Sequence, residues 1–275
     1  MDTLDALILG LIQGLAEYLP ISSSGHIEIG RQILGINIAG DEALQFSIVL
    51  HVATVLSTIV VLWKEFVPLL TSFFGFKRDA NTTYVWKILF SCIPVMIVGL
   101  FFKKTVEEFF GNGLLVVGIC LIATAALLSF AYFFRKGRES ANPHSTGRDI
   151  TFLDAFIIGM AQAVAVLPGL SRSGSTIATG IMLGDNREKV AKFSFFMVII
   201  PILGEALLDA KDLIFPDEGA VAATEVGYVQ MLVGFLASFI VGCIACKWML
   251  NIVKKGKLVW FAVYCLAAGL LCIFY

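Results

Sequence analysis

The sequence predicts an all-α polytopic membrane protein built as an inverted-topology repeat, with six transmembrane helices and two re-entrant helical hairpins. Three observations lead there. Hydrophobic residues make up 58% of the chain and charged residues 15%, with a mean hydropathy of +0.89, well beyond a soluble domain of this length. The apolar residues form continuous runs rather than alternating ones, the pattern of helices that satisfy their own backbone in lipid. The stretch Leu4 to Gly25 also returns as Leu153 to Gly174, at a constant offset of 149 residues. Identities at Asp5/Asp154, Gly10/Gly159, Gln13/Gln162, Ser22/Ser171, Ser24/Ser173 and Gly25/Gly174 are not what two merely greasy segments share by chance.

Taken in order, Met1 to Ala6 holds two acids and no Lys or Arg, so it lacks the basic region of a cleaved signal peptide, and the first apolar segment is expected to be retained. Leu4 to Leu19 is then interrupted by Pro20, three serines and a glycine before a short run from Ile27 to Ile38. Neither piece reaches the about 20 helical residues that cross a bilayer core of about 30 Å. Non-helical backbone at membrane depth survives only where protein or a wet cavity covers it, so a re-entrant hairpin is expected. Three spans follow, roughly Leu44 to Trp63, Tyr84 to Phe102 and Leu114 to Phe134. The basic stretch Arg135 to Asp149, with Pro143 and Gly147, reads as a linker. Ile150 to Gly184 repeats the hairpin around Pro168 to Gly174, and Phe193 to Ala210, Tyr228 to Met249 and Leu258 to Phe274 complete the spans. Residues 1–275 thus form one membrane domain, with repeat 1 at about 1–134, the linker at about 135–149 and repeat 2 at about 150–275.

Three spans between the hairpins is an odd number, which inverts the second copy relative to the first. With loops assigned alternately, fifteen Lys and Arg fall on one face and four on the other, with Arg172 left inside a break. Positive residues favour the cytoplasmic side. Both termini, the first hairpin mouth and the acidic stretch Asp209 to Glu225 are therefore expected outside, and the linker inside.

All six cysteines lie in or beside apolar runs, where a thiol acts as a small hydrophobe, and the pair Cys243 and Cys246 has no second ligand pair beside it. A net charge of -1 argues against nucleic acid as a partner.

The polar residues within the breaks carry the chemistry. Gln13 and Glu17 are four apart and share one helix face, with Gly10 and Gly14 alongside to admit another backbone. An ionisable group in a membrane segment is costly and usually functional. Ser22, Ser23, Ser24, Gly25 and His26 then offer three hydroxyls and an imidazole at a helix start, where one serine suffices as a cap and exposed amides attract anions. In the second copy Ser171, Ser173, Gly174 and Thr176 surround Arg172, whose guanidinium fork suits phosphate oxygens. Inverted symmetry would bring Glu17, the serines, His26 and Arg172 into one cavity. Such a set suits phosphoryl transfer and equally suits anion transport by a secondary transporter or lipid flippase, since broken helices in inverted repeats serve alternating access. Glu17 together with a bound phosphate is expected to hold Mg2+ or Ca2+. His51, in an apolar span, reads as a hydrogen-bonded structural group. Glu205 and Asp209 read as boundary acids, Glu107 and Glu108 as a surface cluster with Lys103 and Lys104, and His144 as a linker residue.

The run Gln13-Gly14-Leu15-Ala16-Glu17, followed by Leu19-Pro20-Ile21-Ser22-Ser23-Ser24-Gly25-His26 and paired with Pro168-Gly169-Leu170-Ser171-Arg172-Ser173-Gly174-Ser175-Thr176, resembles the bacitracin-resistance family of undecaprenyl-diphosphatases. The resemblance extends over essentially the whole chain. It implies an enzyme of the bacterial cytoplasmic membrane that hydrolyses undecaprenyl diphosphate to the monophosphate and phosphate, uses Mg2+ or Ca2+, and opens its pocket to the outer face. It assigns Ser23 as nucleophile, His26 as the motif histidine, Glu17 as the second acid of a pair and Arg172 as the phosphate-binding arginine, with Ser171, Ser173 and Thr176 as phosphate contacts. Gln13 stands at the first acid position, where an amide cannot act as a base and ligates metal more weakly. The expected partners are the lipid substrate and the bilayer; a homodimer is left open by lipid-facing surfaces of undifferentiated Leu, Ile, Val and Phe.

Overall fold

A computed structural model describes residues 1–36, 41–102, 113–141, 147–214 and 226–275, with backbone alone for 41–44, 138–141 and 208–214. The acidic stretch after residue 214, linker residues 142–146 with His144, and Lys103, Lys104, Glu107 and Glu108 lie outside the described residues, while the helix before the linker runs on to Ala141. Within them the architecture is helical, with one isolated bridge between Arg148 and Asp185.

The first half of the chain comprises α1 (Thr3–Ala16), α2 (Ser23–Leu34), α3 (Asp41–Val61), α4 (Trp63–Phe74), α5 (Ala80–Phe101) and α6 (Gly113–Ala141). The second comprises α7 (Phe152–Val164), α8 (Arg172–Leu183), α9 (Arg187–Met197), α10 (Ile199–Ile214), α11 (Tyr228–Lys254) and α12 (Val259–Phe274). The repeated aspartates explain the matched helix starts. Asp5 and Asp154 each close a capping box, with Asp2 and Thr151 as the N-caps. Each box satisfies two amides that a helix start otherwise leaves unpaired.

At 14 and 12 residues, α1 and α2 are about 21 and 18 Å long, too short to span. The same holds for α7 and α8, and the two helices of each pair pack on one another. The pairs also exchange partners between repeats: α1 packs on α11 while α7 packs on α5, and α6 meets α12. Glycine makes these approaches close. A Cβ on Gly10 would sit 2.5 Å from the Gly234 carbonyl oxygen, and one on Gly159 only 2.2 Å from that of Ser91.

Among the described residues, four stretches are long and apolar enough to cross a membrane: Ala80–Phe101, Gly113–Gly137, Arg187–Leu207 and Tyr228–Lys254. The sequence led us to expect six. Of the other two, the run from Leu44 bends by 90° between Val61 and Trp63 into α4 and counts as a fifth only if the bent pair is one span. Leu62 breaks the helix with φ -101° and ψ 24° and is itself buried, while Lys64 and Glu65 give α4 a polar row suited to a boundary. The last run forms a helix of 16 residues, about 24 Å. Much of the apolar surface faces outward, with only 28% of the Ala80–Phe101 window buried. The pairs Lys192–Glu65, Lys254–Glu188, Lys189–Asp149 and Arg148–Asp154 join residues around the face where most cations were assigned.

Candidate active site

The site is assembled where the two broken pairs meet. Gln13 and Glu17 end α1, and the backbone amide of Glu17 still donates to the Gln13 carbonyl at 3.0 Å. The turn through Leu19, Pro20 and Ile21 then delivers Ser22 as N-cap of α2, with its Oγ accepting from the Gly25 amide. Ser22 adopts φ 70° and ψ 101°, a left-handed strain costing roughly 1–3 kcal/mol. Its counterpart Ser171 caps α8 from an ordinary extended backbone at φ -72°. Strain is thus confined to the copy that presents Ser23.

Ser23 and Arg172 occupy the same place in the duplicated pattern, each the first residue of its short helix. Both converge on Glu17. Ser23 Oγ donates to Glu17 Oε2 at 2.8 Å, Gln13 Nε2 donates to the same oxygen at 2.9 Å, and the Arg172 guanidinium pairs with Oε1. The Glu17 side chain is 6% exposed, so these partners replace its water. A small cleft beside these residues is lined by Glu17, Arg172, Ser173, Tyr18, Thr54 and Ser194 among others.

The remaining sequence candidates are held by contacts of their own. Ser24 Oγ lies 3.4 Å from Ser22 Oγ, and Ser171 and Ser173 repeat that spacing. Ser173 Oγ donates to the Leu19 carbonyl, tying the second break to the first. Thr176 is buried, with its hydroxyl on the Arg172 carbonyl and on Ser194. Gly25 and Gly174 are capped positions in close packing. His26 turns away from Ser23: its Nδ1 meets the Ser22 carbonyl at 2.8 Å and its Nε2 meets the Tyr264 hydroxyl at 2.7 Å. Of the two proton acceptors proposed for Ser23, Glu17 is the one in contact with it.

Sequence reasoning missed the wall that α3 supplies. Tyr18 donates to the Thr54 carbonyl at 2.6 Å beside Ser57 and Thr58. His51, Thr54 and Thr58 recur at helical spacing in an otherwise apolar run, a polar stripe that marks an inward face. His51 Nε2 lies 3.7 Å from Glu17 Oε2.

For a divalent ion, no cluster of three or more His, Cys, Asp or Glu exists among the described residues. A sparse oxygen site does fit. Glu17 offers a carboxylate, and Gln13 Oε1 is buried with no hydrogen-bond partner. Substrate oxygens and water complete sites of that kind.

A family model described as bacitracin resistance protein BacA matches residues 6–271. The chain is 57% identical over 273 residues to a Bacteroides fragilis protein named undecaprenyl-diphosphatase, covering 99% of this chain and 98% of that one. Identity is 56% over 270 residues to a protein of the same name from Bacteroides thetaiotaomicron, covering 98% and 97%. It is 35% over 288 residues to one from Methanosphaera stadtmanae, covering 99% and 98%. With the family pattern running nearly end to end and the motif residues of both breaks gathered around Glu17, the chain belongs to the BacA bacitracin-resistance family.

Proposed function

We propose that this chain hydrolyses undecaprenyl diphosphate to undecaprenyl phosphate and phosphate, recycling the lipid carrier of cell-wall synthesis and so conferring bacitracin resistance. The observation that carries the reading is the convergence of Ser23 and Arg172 on Glu17 from two helix starts. Arg172 and the amides at the starts of α2 and α8 hold the phosphate oxygens. Glu17 takes the proton from Ser23 Oγ as that oxygen bonds to the terminal phosphorus. The bond from phosphorus to the bridging oxygen breaks, and undecaprenyl phosphate leaves. Water then cleaves the phosphoserine and releases phosphate. Arg172, freed from Glu17 by the substrate, stabilises charge on the transferring group. Glu17 and Gln13 would hold Mg2+ or Ca2+, which when bound would neutralise diphosphate charge. The prenyl chain lies against the apolar outer surface, and the head group alone meets the polar residues.

The exchanged packing of α1 on α11 and α7 on α5 supports an inverted repeat, and the gathered cations support a cytoplasmic linker. In that arrangement the protein sits in the cytoplasmic membrane with both termini and the pocket mouth outside. Phosphate release from undecaprenyl diphosphate by purified protein in detergent, with and without EDTA, tests the proposal. Folded protein that releases none defeats it, and flux in sealed vesicles without hydrolysis would favour the transport alternative.

A further inference from the structure

His51 sits on α3 with its ring directed at the carboxylate that accepts from Ser23. Its Nδ1 lies 2.8 Å from the Ser47 carbonyl oxygen and 3.3 Å from Ser47 Oγ. A carbonyl only accepts, so Nδ1 carries a proton, and a ring in its neutral form presents a lone pair at Nε2. That lone pair faces Glu17 Oε2 across 3.7 Å, beyond direct hydrogen bonding. Two electron-rich atoms therefore look at one another across a gap. Beside them, the amide that donates to this same Glu17 oxygen carries an oxygen of its own, Gln13 Oε1, buried and without a partner.

We propose that His51 Nε2, Glu17 Oε2 and Gln13 Oε1 form the protein side of a divalent-cation site, with His51 as a direct ligand. The proposal rests on the cation-assisted phosphatase reading and assigns that ion a nitrogen donor. Histidine ligands characteristically donate their other ring N–H to a carbonyl or carboxylate, which fixes tautomer and ring orientation, and the Ser47 carbonyl does this here. A neutral imidazole adds no charge where Gln13 lacks one, but it is a stronger donor than an amide. Nitrogen ligation tilts preference away from Ca2+ toward softer ions such as Mn2+.

The test is titration of the purified full chain in detergent with Mn2+ alone, followed by electron paramagnetic resonance and electron spin-echo modulation from 14N. Wild type should bind one Mn2+ with a nitrogen coupling. His51→Ala and His51→Gln should each lose that coupling, with affinity falling at least about tenfold for His51→Ala, on the scale that even outer-shell losses reach. His26→Ala should keep it. Bound Mn2+ without nitrogen coupling, or unchanged binding in His51→Ala, removes His51 from the site and leaves a Glu17 cation standing, with His51 a plain ion-pair partner. If wild type binds no Mn2+, or Glu17→Gln binds as wild type does, the cation reading itself falls and His51 ligation falls with it.

Discussion

Glu17 receives Arg172, Ser23 and Gln13 in a setting almost closed to water, where Arg172 neutralises its charge and the other two hydrogen-bond it. Truncating Arg172 leaves a buried carboxylate uncompensated, which costs about 3–5 kcal/mol when the partner is a buried charge. Arg172→Ala should therefore lower both the melting temperature and turnover, the latter by roughly 10²–10³-fold, as removal of one oxyanion donor does. Ser23→Ala removes only a hydroxyl; its unfolding should match wild type while phosphate release is lost, and normal turnover would disqualify Ser23 as nucleophile. A different carboxyl governs the response to pH. Asp185, in the loop between α8 and α9, is pushed up from 3.8 to about 7, first by burial and then by Asp154, with Arg148 and Arg135 pulling down and Asp149 pushing further up. A raised folded value means the native state keeps a proton that the unfolded chain has lost, so stability falls as pH rises from about 4 to about 7 and then levels. Asp185→Asn should remove that slope, and its melting advantage over wild type should be larger at pH 8 than at pH 5. A constant difference would show that Asp185 ionises normally.

At the scale of helices, the duplicated segments were legible because their repeated residues do work that side-chain identity reveals: Asp5 and Asp154 cap, Gly10 and Gly159 permit contact, and Ser22 and Ser171 start the short helices. Gly159→Val should destabilise by about 1–3 kcal/mol through overpacking against α5, read as a lower melting temperature in detergent. The bend at Leu62 was not legible. The apolar run continues through Val60, Val61, Leu62 and Trp63, and no proline or glycine marks the break, since Pro68 lies inside the following helix. His51 is hydrogen-bonded to the Ser47 carbonyl as the sequence leads one to expect, but its approach to Glu17 was not legible for a related reason. An isolated histidine in a greasy run looks structural until the neighbouring helix that brings Glu17 to it is known. The contact of His26 was not legible either: three residues from Ser23 in the chain, it meets Tyr264 from a helix at the far end of the sequence.

For the molecule as a whole, reciprocal exchange of α1 and α7 makes each repeat a lining for the other, and neither half holds both Ser23 and Arg172. The orientation proposed above has a direct check. In a cysteine-free background, a membrane-impermeant maleimide applied from outside should label Tyr228→Cys and spare Phe76→Cys, both exposed positions. The reverse pattern would turn the protein over and put the site on the wrong side for an extracytoplasmic head group.

The shared place of Ser23 and Arg172 in the duplicated pattern carries one more consequence. Gln13 has its twin in Gln162, but the place of Glu17 is taken in the second copy by Val166. The acid is therefore present in one copy of the pattern and absent from the other. Stoichiometry should follow, so that a non-hydrolysable diphosphate lipid saturates the protein at one equivalent per polypeptide, and a second equivalent of similar strength would mean that the Gln162 side is also a working chamber.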